Sequence, residues 1–194
     1  MTIEPKPYHH GDLRNTLLDA ARTILEKDGL GALSLRGVAR KAGVSHAAPY
    51  RHFDSHEALL AELAIEGFGE LRRTLGNACA SGGAPDEKIA RIGGAYMRFF
   101  SLRPALARLM FGPQLPNREH LPGLAEAADA IGEEIGTALE DPALGLAVWA
   151  AVHGLAVLIL ENVIDLGQRR SGLDVLPSRA EILLRSLFAT SHPH

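Results

Sequence analysis

The sequence has a single cysteine, Cys79, and no strong excess of either charge. One cysteine excludes a disulfide framework within the chain and a cage of thiolate metal ligands. A formal net charge of −3 over 194 residues does not by itself indicate a polyanionic partner, although a basic face can coexist with an acidic remainder. Phosphate-cradling glycine loops, nucleophile elbows and CxxC pairs are also missing from the sequence.

The sequence contains no catalytic or metal-binding motif whose residues have the required spacing. The pair His56-Glu57 begins like a zinc-protease motif, but Leu60 occupies the position that needs the second histidine. The chain has nine histidines, yet no cluster of His, Cys and Asp has the spacing of metal ligands. We therefore expect no enzyme, no metal site and no cofactor.

One uncharged run, residues 143–160, is long enough to raise the question of a membrane span. His153 lies in its middle, and the acids Asp141 and Glu161 flank it where a span would have basic anchors. A helix that is apolar on all sides is also typical of a bundle centre or a subunit interface. The first twelve residues lack the apolar core of a secretion signal. We expect a cytoplasmic protein with no membrane partner.

Apolar residues recur at helical spacing through nearly the whole chain, and no alternating strand pattern occurs. Capping residues and prolines then place the ends of the helices. The sequence predicts an all-α fold of about nine helices. They are expected over Asp12–Lys27, between Ser34 and Gly43, from Ser45 to near Phe53, from Ser55 onward, from Pro85 to before Pro104, over 104–111, over 124–139, from Pro142 to about Leu166, and over 178–189.

The stretch Ser34–Phe53 contains several cations and no carboxylate. Its two short helices, joined by a turn at Gly43, have the dimensions of a helix-turn-helix. The small side chains of Ala47 and Ala48 allow a backbone to approach base edges in a major groove. A solvated helix edge is the plain alternative, but the turn, the caps and the aromatic spacing together favour a surface that meets nucleic acid.

Polar groups in this stretch suit a phosphate backbone. Ser34 and Ser45 cap helix starts, where free amides can bind phosphates. Tyr50 and His52 can donate to phosphate oxygens, as can Arg51 if it points outward.

The segment SLRGVARKAGVSHAAPYRHFDSHEALL, residues 34–60, resembles the N-terminal domain of TetR/AcrR-type transcriptional regulators, and the match extends from about Asp12 to Leu63. Gly43, Tyr50 and His52 are among the residues that carry the resemblance. Farther on, WAAVHGL at residues 149–155 is similar to the Trp-His-Gly signature of one subgroup of that family. The resemblance implies a ligand-responsive repressor that binds a near-palindromic operator as a dimer.

The resemblance also implies roles for individual residues. Base contacts would come from Arg36, His46 and Ala47, and the serines, Tyr50 and His52 would grip phosphates. The family commonly has a lysine where this chain has His56, which is charged only in part at neutral pH. The expected DNA-binding residues are Ser34, Arg36, Ser45, His46, Ala47, Tyr50, Arg51, His52 and His56.

We expect two domains: residues 1–55 for DNA and residues 56–194 for effector binding and dimerisation. The helices near 142–166 and 178–189 are apolar enough to form a two-fold, four-helix interface with a second copy. An apolar or aromatic effector is expected near a set of mostly aromatic residues, for which helical core is the default. They are Phe68, Tyr96, Met97, Phe100, Met110, Phe111, Trp149 and His153. The alternative function is a helical ligand-binding or scaffold protein whose basic face is incidental.

Overall fold

The computed structural model describes residues 10–164 and 176–188, and every regular element in these two ranges is a helix. The predicted all-α fold is confirmed. The α-helices are α1 (His10–Asp28), α2 (Leu35–Ala42), α3 (His56–Ala80), α4 (Pro85–Leu102), α5 (Pro104–Phe111), α6 (Leu124–Leu139), α7 (Pro142–Leu160) and α8 (Leu176–Phe188). Single turns of 3₁₀ helix occur at Leu30–Ala32, Pro49–Arg51 and Arg118–His120.

Helix α2 begins and ends where its capping residues predict. Ser34 has an extended backbone, and its hydroxyl accepts a hydrogen bond from the amide of Gly37 at 3.1 Å. Gly43 is left-handed with φ 70°, and its amide and that of Val44 donate back to carbonyls of the last turn. This is a Schellman ending, in which glycine adopts a positive φ without a steric penalty.

The prediction of a third α-helix from Ser45 to near Phe53 is wrong. The chain there forms turns followed by one turn of 3₁₀ helix. Pro49 is the cause, because it has no amide hydrogen to donate to the Ser45 carbonyl four residues earlier. That carbonyl instead accepts the amide of Ala48 at 3.0 Å. We call residues 45–52 the recognition segment.

Helix α7 is shorter than predicted. Its apolar run suggested a helix to about Leu166, but the helix ends at Leu160. Asn162 adopts a left-handed φ of 56°, and its amide and the next one donate back to carbonyls of the last turn. Asparagine tolerates this conformation better than most residues, so it closes the helix as glycine closes α2. Residues 165 and 166, and residue 189 at the predicted end of the last helix, lie outside the described residues.

A continuous set of buried apolar side chains runs from α1 to α8. Helix α3 packs against α1, α4, α5 and α6, and α4 packs against α7 and most extensively against α8. The close approach of α4 and α8 depends on Gly93, where a Cβ atom would lie only 1.8 Å from Cδ1 of Leu184. Helices α3 and α4 therefore form the centre of the larger helical unit.

Helix α7 is, within the described ranges, the helix that is long and apolar enough to cross a membrane by length and composition. Its most apolar stretch has a mean hydropathy of 2.2, and 28% of that stretch is buried. A single such helix is weak evidence for a membrane, because a core or interface helix meets the same criterion. The low burial does leave apolar side chains such as Leu146 and Leu158 exposed.

Helix α1 is joined to the rest of the chain by ionic as well as apolar contacts. Arg103, in the turn between α4 and α5, donates from Nε to Glu70 of α3 and from Nη1 to Glu26 of α1, each at 2.9 Å. This guanidinium therefore connects the two helices to the start of α5. The further ion pairs between α1 and α3 are Arg14–Glu62 and Arg22–Glu66.

Candidate nucleic-acid interface

The recognition segment rests on buried side chains that fix its backbone. Val38 of α2 is 0% exposed and Phe53 is 1% exposed, and Pro49 is buried between them along the chain. The guanidinium carbon of Arg14 lies 5.8 Å from the centroid of the Phe53 ring, a cation–π distance. The polar residues between these anchors are thus held outward.

The predicted DNA-binding residues lie at the start of and within α2, in the recognition segment and at the start of α3. Tyr50 is 54% exposed, an unusual position for a large aromatic side chain with an apolar ring. His52 is only partly buried. The exposed members are Ser34, Arg36, Ser45, His46, Ala47, Tyr50, Arg51 and His56.

Four exposed cations give this surface its charge: Arg36, Arg40, Lys41 and Arg51. Within residues 10–164 and 176–188, none of the four takes part in an ion pair. Their charges are therefore available to phosphate groups. The predicted set of DNA-binding residues omitted Arg40 and Lys41. Both lie in the acid-free stretch Ser34–Phe53, which was the feature that indicated a nucleic-acid surface. We call the exposed surface of residues 34–53, together with His56, the basic face.

Helix starts contribute less to this face than the sequence suggested. At α2 the amide of Gly37 already donates to the Ser34 hydroxyl. Only the earlier amides of that first turn can therefore donate to a phosphate. No α-helix starts at Ser45, so no helix dipole points at a phosphate there. Ser45 can contact a phosphate only through its hydroxyl. His56 is the exposed first residue of α3, and Ser55 caps that helix by accepting the Ala58 amide at 3.0 Å.

The rings among the predicted effector residues form one cluster. The Phe111 ring centroid lies 5.2 Å from that of Phe68, 5.7 Å from Phe100 and 4.4 Å from His153. Tyr96 stacks on Phe100 at 4.9 Å. Edge-to-face and offset contacts at these distances add stability beyond the area they bury. The rings contact each other, which is the behaviour of a core.

A chain of hydrogen bonds crosses this cluster. The indole Nε1 of Trp149, which can only donate, lies 3.3 Å from the Tyr96 hydroxyl oxygen. The Tyr96 hydroxyl lies 2.9 Å from Nδ1 of His153, and the tautomer of the histidine decides which of these two groups donates. Burial lowers the pKa of His153 and raises that of Tyr96, so both groups stay neutral near pH 7.

The neutral His153 makes stability depend on pH. Because its folded-state pKa lies below the ordinary value of 6.5, the unfolded chain binds more protons than the folded chain in mild acid. This contribution to stability is complete above the unfolded pKa and is lost as pH falls from that value through the lower folded-state pKa. We expect the thermal midpoint to fall from about pH 7.5 to about pH 5.5 by more in the wild type than in His153→Gln. His120→Gln, at an exposed histidine, should match the wild type; equal losses in wild type and His153→Gln would contradict the assignment.

The described residues offer little for metal or thiol chemistry. In the two ranges the structure covers, no group of three or more His, Cys, Asp or Glu side chains could hold a metal ion. Burial, reinforced by Glu134, raises the pKa of Cys79 to about 11. The thiol is therefore protonated at neutral pH and is a poor nucleophile.

Comparison with known proteins agrees with this geometry. A family model described as "Bacterial regulatory proteins, tetR family" matches residues 17–63, which include α2 and the recognition segment. The chain is 26% identical over 158 residues to an HTH-type transcriptional regulator of Mycobacterium tuberculosis, Rv0681, covering 78% of this chain and 72% of that protein. It is 30% identical over 97 residues to the HTH-type transcriptional repressor KstR of Mycolicibacterium smegmatis, covering 50% of this chain and 48% of that one.

Solved structures extend the similarity over nearly the whole chain. A protein of unknown function from Rhodococcus sp. RHA1 is 32% identical, covers 96% of this chain and 100% of its own, and superposes with a TM-score of 0.70. A tetR-family regulatory protein from Rhodococcus RHA1 shares the fold with a TM-score of 0.68 at 18% identity, over 90% of this chain and 95% of that chain. Residues 17–63 therefore form a domain of the tetR family type, and the chain is a DNA-binding transcriptional regulator.

Proposed function

We propose that the protein is a ligand-responsive repressor that binds a near-palindromic operator as a homodimer. The observation that carries the proposal is the basic face, whose exposed cations have no acidic partner in the described part of the chain. Repression is supported by the name of one relative, the repressor KstR. The site of action is the cytoplasm, and no catalytic activity or cofactor is part of the proposal.

The roles on DNA follow from chemistry and exposure. Arg36 can donate two hydrogen bonds to one guanine, the commonest specific contact in a major groove. His46 and the small Ala47 reach base edges from the start of the recognition segment. Tyr50 and His52 donate to phosphates, which fixes the register of the protein on the duplex. The remaining phosphate contacts are assigned to Ser34, Ser45, Arg51 and His56, with His56 as a weaker substitute for the family's lysine.

Dimerisation is proposed through α7 and α8, which contact each other. On α7 the exposed positions Leu146, Ala150, Gly154 and Leu158 follow at four-residue steps, so they lie along one face. Their small central members allow a second helix to approach closely. On α8 the exposed apolar side chains are Ile182, Leu183 and Leu187. An isologous pairing of these surfaces would cover them and place two recognition segments about one helical turn of DNA apart.

The proposed domains, residues 1–55 and 56–194, are linked by a short mechanical path. Helix α5 contacts α1 as well as α3 and α4, and Arg103 before α5 is bonded to Glu26 of α1. A ligand that displaces α5 would therefore reorient α1 and the basic face. Ligand binding lowers operator affinity to the extent that it favours the arrangement in which the two basic faces do not match the grooves. The Trp-His-Gly subgroup, carried by Trp149 to Gly154, stays a prediction.

A salt titration tests the proposal. Phosphate contacts release counterions, so affinity for the chain's own upstream DNA should fall linearly on a log–log plot against salt. With roughly six to ten phosphate contacts per dimer, the loss between 50 and 200 mM salt is about 10³- to 10⁵-fold. Fluorescence anisotropy with a labelled duplex, and a scrambled duplex as control, measures both slope and specificity. A scaffold or ligand-binding protein with an incidental basic face would bind neither duplex, or would bind both equally.

A further inference from the structure

A cavity of about 250 Å³ lies where α4, α5 and α7 meet. Apolar side chains form most of its wall: Met97 and Phe100 from α4, and Ala156, Ile159 and Leu160 from α7. Arg108 of α5 also lines it and is exposed at the surface, so the cation stands at the opening. The volume is below the usual range for drug-sized ligands, which is about 300–1,000 Å³. This size suits a single short chain better than a molecule with several fused rings.

Arg108 has unused donors at this opening. Its Nε donates to Glu161 at 2.9 Å and its Nη2 to the Leu160 carbonyl at 2.7 Å. A guanidinium has five N–H donors, and within the described residues the Arg108 side chain makes only these two hydrogen bonds. The pair with Glu161 is about half exposed on both sides, where ion pairs contribute little and exchange easily. A second carboxylate can therefore bind Arg108 without loss of the bond to Leu160.

We propose that this cavity binds a short amphipathic carboxylate, with its apolar chain against Met97, Phe100 and Ile159 and its head group on Arg108. Such a molecule is the effector of the proposed function, and the regulatory part of the inference rests on that function. Arg108 belongs to α5, the helix that contacts α1. Occupation of the cavity thus acts on the element that connects the helical domain to the basic face.

The cavity wall also predicts a dependence on chain length. Each methylene transferred from water to an apolar wall raises affinity by about fourfold. Octanoate should therefore bind about fifteenfold more tightly than hexanoate. An ionic contact at the surface alone would show no such dependence.

The test is calorimetry of the full chain with sodium octanoate, in the absence of DNA. Arg108→Gln should weaken octanoate binding at least about tenfold, whereas octan-1-ol should bind the variant and the wild type equally. Glu161→Gln removes the competing carboxylate and should strengthen octanoate binding. Circular dichroism verifies the fold, and the opposite signs of the two variants separate a specific contact from general destabilisation. Octanoate that fails to bind, or binds both variants like the wild type, would overturn the site.

Two independent measurements distinguish a failure of the cavity proposal from a failure of the proposed DNA-binding function. Operator affinity without octanoate tests DNA binding alone, and calorimetry without DNA tests the cavity alone. Octanoate at saturation is expected to lower operator affinity at least about tenfold, and Arg108→Gln should need a correspondingly higher octanoate concentration. Octanoate that binds but leaves operator affinity unchanged would overturn its role as an effector, with DNA binding still intact.

Discussion

Leu183→Glu is expected to produce a monomer with at least about a thousandfold weaker operator binding, because one basic face alone retains little beyond non-specific affinity. Leu183 is exposed on α8, next to Ile182 and one helical turn before Leu187, in the proposed interface. In a two-fold interface the substitution places two carboxylates in apolar surroundings. An unpaired ion in such a site costs several kcal/mol or more, which is enough to dissociate a dimer at micromolar concentration.

Sedimentation velocity measures the change in mass, and fluorescence anisotropy measures operator affinity. Leu102→Glu is the matched control, since Leu102 is 65% exposed and lies at the end of α4, outside α7 and α8. This control should stay dimeric and bind the operator like the wild type. A Leu183→Glu dimer with full operator affinity would contradict the interface, and a monomer with full affinity would contradict the need for two copies.

Arg36→Ala and Tyr50→Phe are expected to weaken DNA binding in two different ways. Loss of a bidentate guanine contact costs about 1–3 kcal/mol and relaxes the preference at that base. Loss of the Tyr50 hydroxyl removes a phosphate contact, so affinity should fall by a similar factor for every sequence. Tyr50 is exposed and Arg36 lies on the outer surface of α2, so neither change disturbs the core.

The measurement is affinity across a set of operators with single base changes. Arg98→Ala is the control, because Arg98 is an exposed arginine on α4, away from the basic face. It should reproduce the wild-type profile. If Arg36→Ala loses the same affinity for all operators, Arg36 contacts phosphate and does not read bases.

Local signals in the sequence were enough to predict most helix ends. Ser34, Gly43 and Ser55 act on their nearest neighbours in the chain, and the structure places them at the caps that the sequence indicates. The acid-free stretch Ser34–Phe53 also identified the basic face. The polar residues of this stretch alternate with buried residues such as Val38 and Phe53, and this spacing predicts that they are exposed. The α-helix predicted over the recognition segment is wrong, because Pro49 has no amide hydrogen for the first hydrogen bond of that helix. The end of α7 was missed because its signal, Asn162, is weaker than a glycine.

Features that depend on distant parts of the chain could not be predicted. The Trp149–Tyr96–His153 chain joins residues 53 and 57 positions apart, and their separate helical patterns give no indication that they meet. The contacts of Arg103 and Arg108 have the same character, since each links helices far apart in sequence. The cavity beside Arg108 is set by the packing of three helices, and of the predicted effector residues only Met97 and Phe100 line it.

The brevity of the recognition segment limits how much sequence one copy can distinguish. Residues 45–52 are separated by seven steps of about 2 Å, so the segment covers roughly 14 Å, or about four base pairs at 3.4 Å. Two copies then read about eight base pairs, a combination that arises by chance about once in 65,000 positions, while a genome offers at least about 10⁶ competing positions. Chance matches would therefore number in the tens. Recognition of a single operator on a chromosome must therefore depend on additional features. These are the fixed spacing between half-sites, the base contact of Arg36 and the flexibility of the DNA between the half-sites.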